Sequence, residues 1–460
     1  MGELMEQDIN GLVSRQHSYF AEGETRSLSF RIGQLRRLKE AVQGYESRIM
    51  EAVRRDFNKS EYESYLSEYS SVLMEINLML RHLAKWSKPA RVRTPMTHLG
   101  SRSYIYAEPY GVTLIIAPWN YPFQLALAPL IGAVAAGNCA VIKPSELAPH
   151  TSQTIADMIA EYFPDTYIAV VQGDAEASTA LLKERFDYIF YTGSTHVGRL
   201  VMQAAADHLT PVTLELGGKS PCIVHHDARL DVAAMRIVWG KFFNAGQTCV
   251  APDYLYVHRS VKDDLVNKLI RAIEEMHGER ISIGEFTHIV NDRHFERLET
   301  YLEDGKIIYG GGRHKDSRLF EPTLLGEVKW EDRVMREEIF GPILPILEYD
   351  SLEEAMRQVN SKSKPLALYL FTESQAVQDR VLREIPFGGG CMNDVIYHLV
   401  NPHLPFGGVG ESGSGAYHGR ASFDLFSHKK SVLKQTTRFD FKFRYPHYKN
   451  ALKLLKKFYR

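Results

Sequence analysis

Cys249 ends the run Phe243-Asn244-Ala245-Gly246-Gln247-Thr248-Cys249, just past a glycine turn. A cysteine carried on a loop attacks an electrophilic carbon once its thiol is deprotonated. The bland alternative is a buried structural thiol. That alternative fits Cys139, which opens an apolar strand, and Cys222, in Pro221-Cys222-Ile223-Val224. Glu215 lies near the end of Val212-Thr213-Leu214-Glu215-Leu216-Gly217-Gly218. A carboxylate inside a buried strand must be paired, neutral or working. Burial raises its pKa and makes it a plausible general base near neutral pH, against the alternative of a salt-bridged structural glutamate. Asn120 follows Ala117-Pro118-Trp119, where its amide could donate to a developing oxyanion or simply cap a helix.

A second group of residues suits a nucleotide. Gly193-Ser194-Thr195-His196-Val197-Gly198 joins a strand to a helix, so backbone N–H groups and the helix N-terminus could meet a pyrophosphate. It is not the GxGxxG fingerprint. Lys143 and Glu146 sit at another strand end and could hold ribose hydroxyls. Glu338 and Phe340, in Glu337-Glu338-Ile339-Phe340-Gly341-Pro342, could fix a ribose and one face of a nicotinamide. A helix ending at a Gly-Pro turn is the plain alternative.

These residues need a frame. Residues 1 to about 88 read as helical, with periodic apolar positions at Leu35, Leu38, Val42, Ile49 and Val53. Residues 91–108 read as an extended excursion. From 111 onward, strands at 112–117, 139–143, 167–171, 187–191 and 212–216 alternate with helices at 123–136, 150–162, 175–183 and 197–206. That alternation predicts an α/β, doubly wound parallel sheet, whose ligands bind beyond the C-terminal strand ends. A second αβ series, from 220 to 400, includes a strand at 254–258, a helix at 261–276 and a strand at 366–371. The glycine-rich segment 401–419 is expected to be irregular.

The chain has 460 residues, too many for one hydrophobic core. A formal net charge of −1 gives no global call for nucleic acid or an anionic membrane. The four cysteines form no CxxC pair or Cys/His cluster, which argues against a structural zinc site or a disulfide scaffold and favours a reducing compartment. No metal is expected. The start, Met1-Gly2-Glu3-Leu4-Met5-Glu6, is neither a signal peptide nor a myristoylation pattern. The apolar run 123–136 is too short to span a bilayer.

Taken jointly, Pro118-Trp119-Asn120, Lys143-Pro144-Ser145-Glu146, Gly193-Ser194-Thr195, Leu214-Glu215-Leu216-Gly217-Gly218-Lys219, Gly246-Gln247-Thr248-Cys249, Glu338-Ile339-Phe340-Gly341-Pro342 and Pro405-Phe406-Gly407-Gly408 resemble the aldehyde dehydrogenase family, in its order and spacing. Val250-Ala251-Pro252-Asp253-Tyr254 and Gly415-Ala416-Tyr417-His418-Gly419 resemble its class-three subgroup of fatty and aromatic aldehyde dehydrogenases. The resemblance implies a set of roles. Cys249 attacks the aldehyde, and Asn120 with the Cys249 N–H holds the oxyanion. The intermediate delivers hydride to the nicotinamide, and Glu215 activates water to hydrolyse the thioester. Lys143 and Glu146 hold the adenosine ribose, and Glu338 the nicotinamide ribose. Gly193, Ser194, Gly198, Trp119 and Phe340 line the dinucleotide path. Glu146 should repel a 2′-phosphate, which favours NAD, with NADP the alternative.

By the same analogy, residues 1–90 and 109–216 form a dinucleotide-binding domain and 217–400 a catalytic domain. Segments 91–108 and 401–440 form a bridging β-element. The tyrosine-rich strand at 103–106, taken as an exposed edge, would pair across a homodimer. The expected location is cytoplasmic and the expected partner a small-molecule aldehyde. Two rivals use the same residues. A cysteine hydrolase would leave the Gly193 loop, Lys143/Glu146 and Glu338/Phe340 without purpose. A silent binding protein would not need Cys249, Glu215 and Asn120 together. In the basic tail 441–460, Leu452, Leu455 and Tyr459 fall near one helical face, with Lys453, Lys456, Lys457 and Arg460 elsewhere. Such a helix could lie on an anionic membrane, pack on a partner subunit or cover the substrate mouth.

Overall fold

The short apolar strands after residue 111 assemble into a six-stranded sheet in a computed structural model that describes residues 2–441 and 444–458. Its order is Gly413–Ser414, Val212–Glu215, Tyr188–Thr192, Val112–Ile116, Cys139–Lys143, Ile168–Val170. Only the first pair is antiparallel. Val112–Ile116 and Cys139–Lys143 are buried along their whole length, as interior strands of a helix-covered parallel sheet must be. The helix Gln124–Ala136 connects them and is buried from Leu125 onward. It is apolar on every side, so it has no face to turn to solvent. Helix Thr195–Asp207 follows Tyr188–Thr192 and is capped by the Ser194 hydroxyl, which accepts from Val197 N.

The second αβ series forms a seven-stranded sheet, ordered Lys306–Tyr309, Thr323–Gly326, Ile343–Tyr349, Tyr254–His258, Pro221–Val224, Ala367–Phe371, Gly389–Met392. Again only the first pair is antiparallel. Cys139 and Cys222 are core residues, as their strand contexts predict. The N-terminal third is helical, and Leu35, Leu38, Val42, Ile49 and Val53 are fully buried. One feature there has no counterpart in the periodicity. Between Glu61–Ser64 and Ser70–Trp86, residues Tyr65–Tyr69 form a π-helical turn. The extra residue in such a turn re-aims its side chains, and π-turns concentrate at functional sites.

The excursion at 91–108 contributes to a three-stranded antiparallel sheet, ordered Ala90–Val92, Ser101–Pro109, Ser427–Gln435. This corrects the expectation for residues 103–106. Ser101–Pro109 is the central strand: all of it pairs with Ser427–Gln435, and Ser103, Tyr104 and Ile105 also pair with Ala90–Val92 on the other side. The open edges belong to Ala90–Val92 and Ser427–Gln435. Segment 401–419 is also less irregular than its glycines suggest. It contributes Gly413–Ser414 to the first sheet and an antiparallel bridge between Phe406 and Tyr417. The tail carries a helix over Ala451–Phe458. Tyr459 and Arg460, assigned to its faces by sequence, lie outside the described residues.

Helix Lys262–Ser282 brings His277 into the core between Phe242 and Phe286, both met edge-on at 6.1 and 5.5 Å. Neither ring nitrogen has a partner within the protein. Burial, with Arg280 nearby, lowers the His277 pKa to about 4. The unfolded chain therefore binds a proton here that the folded chain does not, and stability falls as pH drops from about 6.5 toward 4. One histidine contributes a slope of up to about 1.4 kcal/mol per pH unit in that window. Urea unfolding at pH 6.5 and 5.0 should show a smaller loss for His277→Leu than for wild type, by up to about 2 kcal/mol. Equal losses would contradict this account of the buried imidazole.

Candidate active site

The position of Cys249 is set by an unusual turn. Asn244, Ala245 and Gly246 all have left-handed backbone, with φ of 55°, 53° and 72°. For the two non-glycine residues this costs about 1–2 kcal/mol each, so neighbours must over-determine it. The Asn244 side chain donates to Asn120 O at 2.9 Å and Gln247 O at 3.1 Å. The Asn244 N–H donates to the Glu63 carboxylate at 3.2 Å. Gln247 donates to Asn244 O and His288 O and accepts from Val290 N. Gly246 admits no side chain, because a Cβ there would lie 2.3 Å from Gly341 O. The turn delivers Cys249 half-buried.

Asn120 sits in the loop after Val112–Ile116. Its Nδ2 donates to Gln247 O at 3.0 Å, two residues before the thiol, which leaves a second N–H on that nitrogen. Tyr121 Oη and Thr248 Oγ1 lie 2.6 Å apart. The following helix begins at Gln124 with Phe123 as its N-cap. Asn120 is therefore not the capping residue. Glu215 ends Val212–Glu215 and is buried, with no partner within the protein for either carboxylate oxygen. The salt-bridged alternative fails on that observation. Burial pushes its pKa well above the ordinary carboxylate range.

Glu338 lies over the glycines that follow this strand. A Cβ on Gly217 would fall 1.9 Å from Glu338 Oε2, and the Gly218 N–H donates to its carboxylate. Burial raises its pKa to about 8, with Asp253 adding to the shift and Gly218, Lys219 and Arg297 opposing it. Its backbone is held by Arg297, which donates to Glu338 O and Ile339 O, and by Asp253, which accepts from Ile339 N at 2.9 Å. The Cys249 thiol is raised by burial first, then by Glu338 and Glu215, while the N–H groups of Cys249 and Val250 act to lower it. Cys249, Asn120 and both carboxylates thus share one site.

The other sequence candidates line an edge of the first sheet. Gly193 N donates to Glu215 O at 3.0 Å, directly before Ser194 and its helix. Gly198 packs against Leu216, where a Cβ would lie 2.7 Å from Leu216 Cδ2. Lys143 and Glu146 pair with each other at 2.7 Å, Lys143 buried and Glu146 exposed. Trp119 is half-buried, edge-on to Phe340 at 5.2 Å. These groups fit a dinucleotide. A helix N-terminus suits a pyrophosphate, Glu146 faces solvent where a ribose could reach it, and Glu338 rests on a backbone without side chains.

Several residues escaped the sequence reading. Lys59, Glu63 and Glu68 come from the N-terminal helices and carry no motif. Lys241 is fully buried, and its Nζ has no partner within the protein. Burial lowers its pKa to about 8, with Asp253 and Glu338 opposing and Lys219 adding to the shift. It falls three, four and seven residues after Val238, Ile237 and Ala234, all buried. That spacing is the signal that could have found it.

Comparison with known proteins gives the same reading. The model of the aldehyde dehydrogenase family matches residues 2–432. The chain is 48% identical to 4,4'-diaponeurosporen-aldehyde dehydrogenase of Staphylococcus aureus, over 96% of this chain and 97% of that one. It is 46% identical to the dimeric NADP-preferring aldehyde dehydrogenase of Rattus norvegicus, over 92% and 94% of the two chains. Among solved structures, the substrate-bound state of Staphylococcus aureus AldH superposes with a TM-score of 0.96, at 47% identity and coverage of 98% and 99%. PnpE in complex with nicotinamide adenine dinucleotide gives 0.86, at 26% identity and coverage of 95% and 91%. This chain belongs to the aldehyde dehydrogenase family and is an oxidoreductase that acts on aldehydes with a nicotinamide cofactor.

Proposed function

We propose that the chain oxidises a medium- or long-chain aliphatic or an aromatic aldehyde to its carboxylic acid through a thioester on Cys249. The observation that carries this reading is Glu215, a buried carboxylate with both oxygens unpartnered, close enough to Cys249 to raise its thiol pKa. Such a group, left without a salt bridge, is suited to take a proton. Cys249 releases its proton to solvent, and the thiolate attacks the aldehyde carbon. Asn120 and the Cys249 N–H hold the oxyanion. A nicotinamide held in this site would supply the two-electron acceptor for the hydride that leaves that carbon. Glu215 then takes a proton from water as the water attacks the thioester, which releases the acid and returns the thiol.

Lys143 and Glu146 are proposed to hold the adenosine ribose, and Glu338 the nicotinamide ribose. Gly193, Ser194, Gly198, Trp119 and Phe340 line the cofactor path. The exposed Glu146 carboxylate favours the free 2′-hydroxyl of NAD, and the rat relative's NADP preference makes NADP the alternative. The division of labour follows the sheets: 1–90 and 109–216 for the cofactor, 217–400 for catalysis, and 91–108 with 401–440 as a bridge between the subunits of a homodimer. The free cysteines fit the reducing cytoplasm, and among the described residues no helix is long and apolar enough to cross a membrane.

For the tail we propose contact with an anionic bilayer as one reading, beside packing on the partner subunit or covering the substrate mouth. Tyr445, Tyr448 and Leu452 are exposed among Arg444, Lys449, Lys453, Lys456 and Lys457. In flotation with phosphatidylglycerol vesicles, the full chain should rise and a chain ending at residue 440 should not. Equal partitioning would end the bilayer reading.

Reduced-nicotinamide formation tests the chemistry. Wild type should turn over steadily and Cys249→Ala not at all. Glu215→Gln should give one burst of about one equivalent, with steady turnover lowered about 100-fold or more. Burial raises the Glu215 pKa, so the base form is lost as pH falls. Wild-type kcat should therefore rise with pH well above the ordinary carboxylate range. Steady turnover by Glu215→Gln would contradict its role as base.

A further inference from the structure

Two buried carboxylates from the N-terminal helices reach the two loops that form the site. Glu63, at the end of the short helix Glu61–Ser64, is 3% exposed. Its carboxylate accepts from Asn244 N in the nucleophile turn, from Thr287 Oγ1 and from Arg280. Five residues later Glu68 is 0% exposed. A regular α-helix would swing residue i+5 well away from residue i. The π-turn over Tyr65–Tyr69 alters that spacing and lets both side chains point into the protein.

Glu68 Oε2 accepts from the backbone N–H groups of Phe123 and Gln124 at 3.2 and 3.0 Å. These are the opening amides of Gln124–Ala136, where a carboxylate is favoured by the helix dipole. Its other oxygen pairs with Lys59 at 2.8 Å, and Lys59 is likewise 0% exposed. The Lys59 ammonium lies over the Tyr121 ring at 4.4 Å and reaches Asn120 O at 3.4 Å. Both ends of the Trp119–Phe123 loop are thus gripped by one ion pair. A buried pair contributes little net stability compared with an apolar pair of the same size, so its reason for being there is geometric.

We propose that the Lys59–Glu68 pair is the positioning device of the oxyanion site: it fixes the Asn120 loop, while Glu63 holds the nucleophile turn from its other side. This rests on the proposed role of Asn120. The contacts of Lys59 and Glu68 run to the loop and to each other rather than to the thiol, so they act through the loop. A misplacement near 1 Å at a reacting centre costs up to about 100-fold in rate, and the second Asn120 N–H is the group displaced when the grip is lost.

The test compares Glu68→Gln in wild type and in Asn120→Ala, using the single-turnover rate of reduced-nicotinamide formation. Cofactor affinity and the rate of Cys249 alkylation by iodoacetamide are measured alongside. Glu68→Gln should lower the single-turnover rate about 10- to 100-fold in wild type. It should add no more than about two-fold to Asn120→Ala, because coupled residues are not additive. Cofactor affinity and alkylation should stay within about two-fold, a pattern that loss of general packing would not give. Equal effects in both backgrounds, or a parallel loss of cofactor binding and alkylation, would overturn the proposal. Should Glu68→Gln not fold, Lys59→Met/Glu68→Gln leaves no unbalanced buried charge, and the same comparison and outcomes apply. Wild-type turnover is the control. Its absence counts against the aldehyde chemistry, whereas its presence with an unchanged Glu68→Gln rate counts against the positioning pair.

Discussion

A carboxylate taken out of water without a hydrogen bond raises the free energy of the fold by several kcal/mol, and it relieves part of that cost by keeping its proton. Glu215 is in that position. It ends a strand paired on both sides, and its backbone carbonyl accepts from Gly193. The main chain therefore cannot carry the side chain back to solvent. The sheet holds this carboxyl at one spot, and Glu338 and Cys249 lie close enough to it to share one electrostatic environment. Glu338 rests on Gly217 and Gly218, just beyond the same strand. Cys249 arrives on a turn whose three left-handed residues are locked by Asn120, Gln247 and Glu63.

The strain in that turn and the burial of Glu215 are offset elsewhere in the fold. The helix Gln124–Ala136 is buried almost throughout, and the central strands of both sheets bury apolar side chains at about 25 cal/mol per Å². Cores of this size tolerate a few costly groups, and those groups gather where chemistry is done. Lys241, His277 and Glu338 belong to the same pattern. Lys241 and His277 are buried and Glu338 is half-buried, and each has a pKa moved toward its neutral form. Neutral forms are what a water-poor interior favours.

Much of this was legible from residue order. Short apolar strands alternating with helices announced the parallel sheets, and the candidate residues fell at strand ends because ligands meet such sheets there. Cys249, Glu215 and Asn120 were readable because their types and neighbours are chemically unusual. Lys59, Glu63 and Glu68 were not. Charged residues on an N-terminal helix look like a solvated face, and no local pattern announces a π-turn that rotates them inward. The tyrosine-rich strand misled for a related reason. Alternation marks a strand but does not say whether its edges are open, and the partner that closes Ser101–Pro109 lies more than 300 residues away at Ser427–Gln435. Nonlocal pairing of that kind is fixed by topology.

The central claim is that oxidation leaves an acyl group on one named sulfur. Mass spectrometry of Glu215→Gln, quenched in acid after one turnover with aldehyde and cofactor, tests it directly. The account predicts that the peptide containing Cys249 gains the mass of the aldehyde less two hydrogens, and that hydroxylamine removes the addition. Reduced cofactor and free acid formed with no acyl group on that peptide would contradict it.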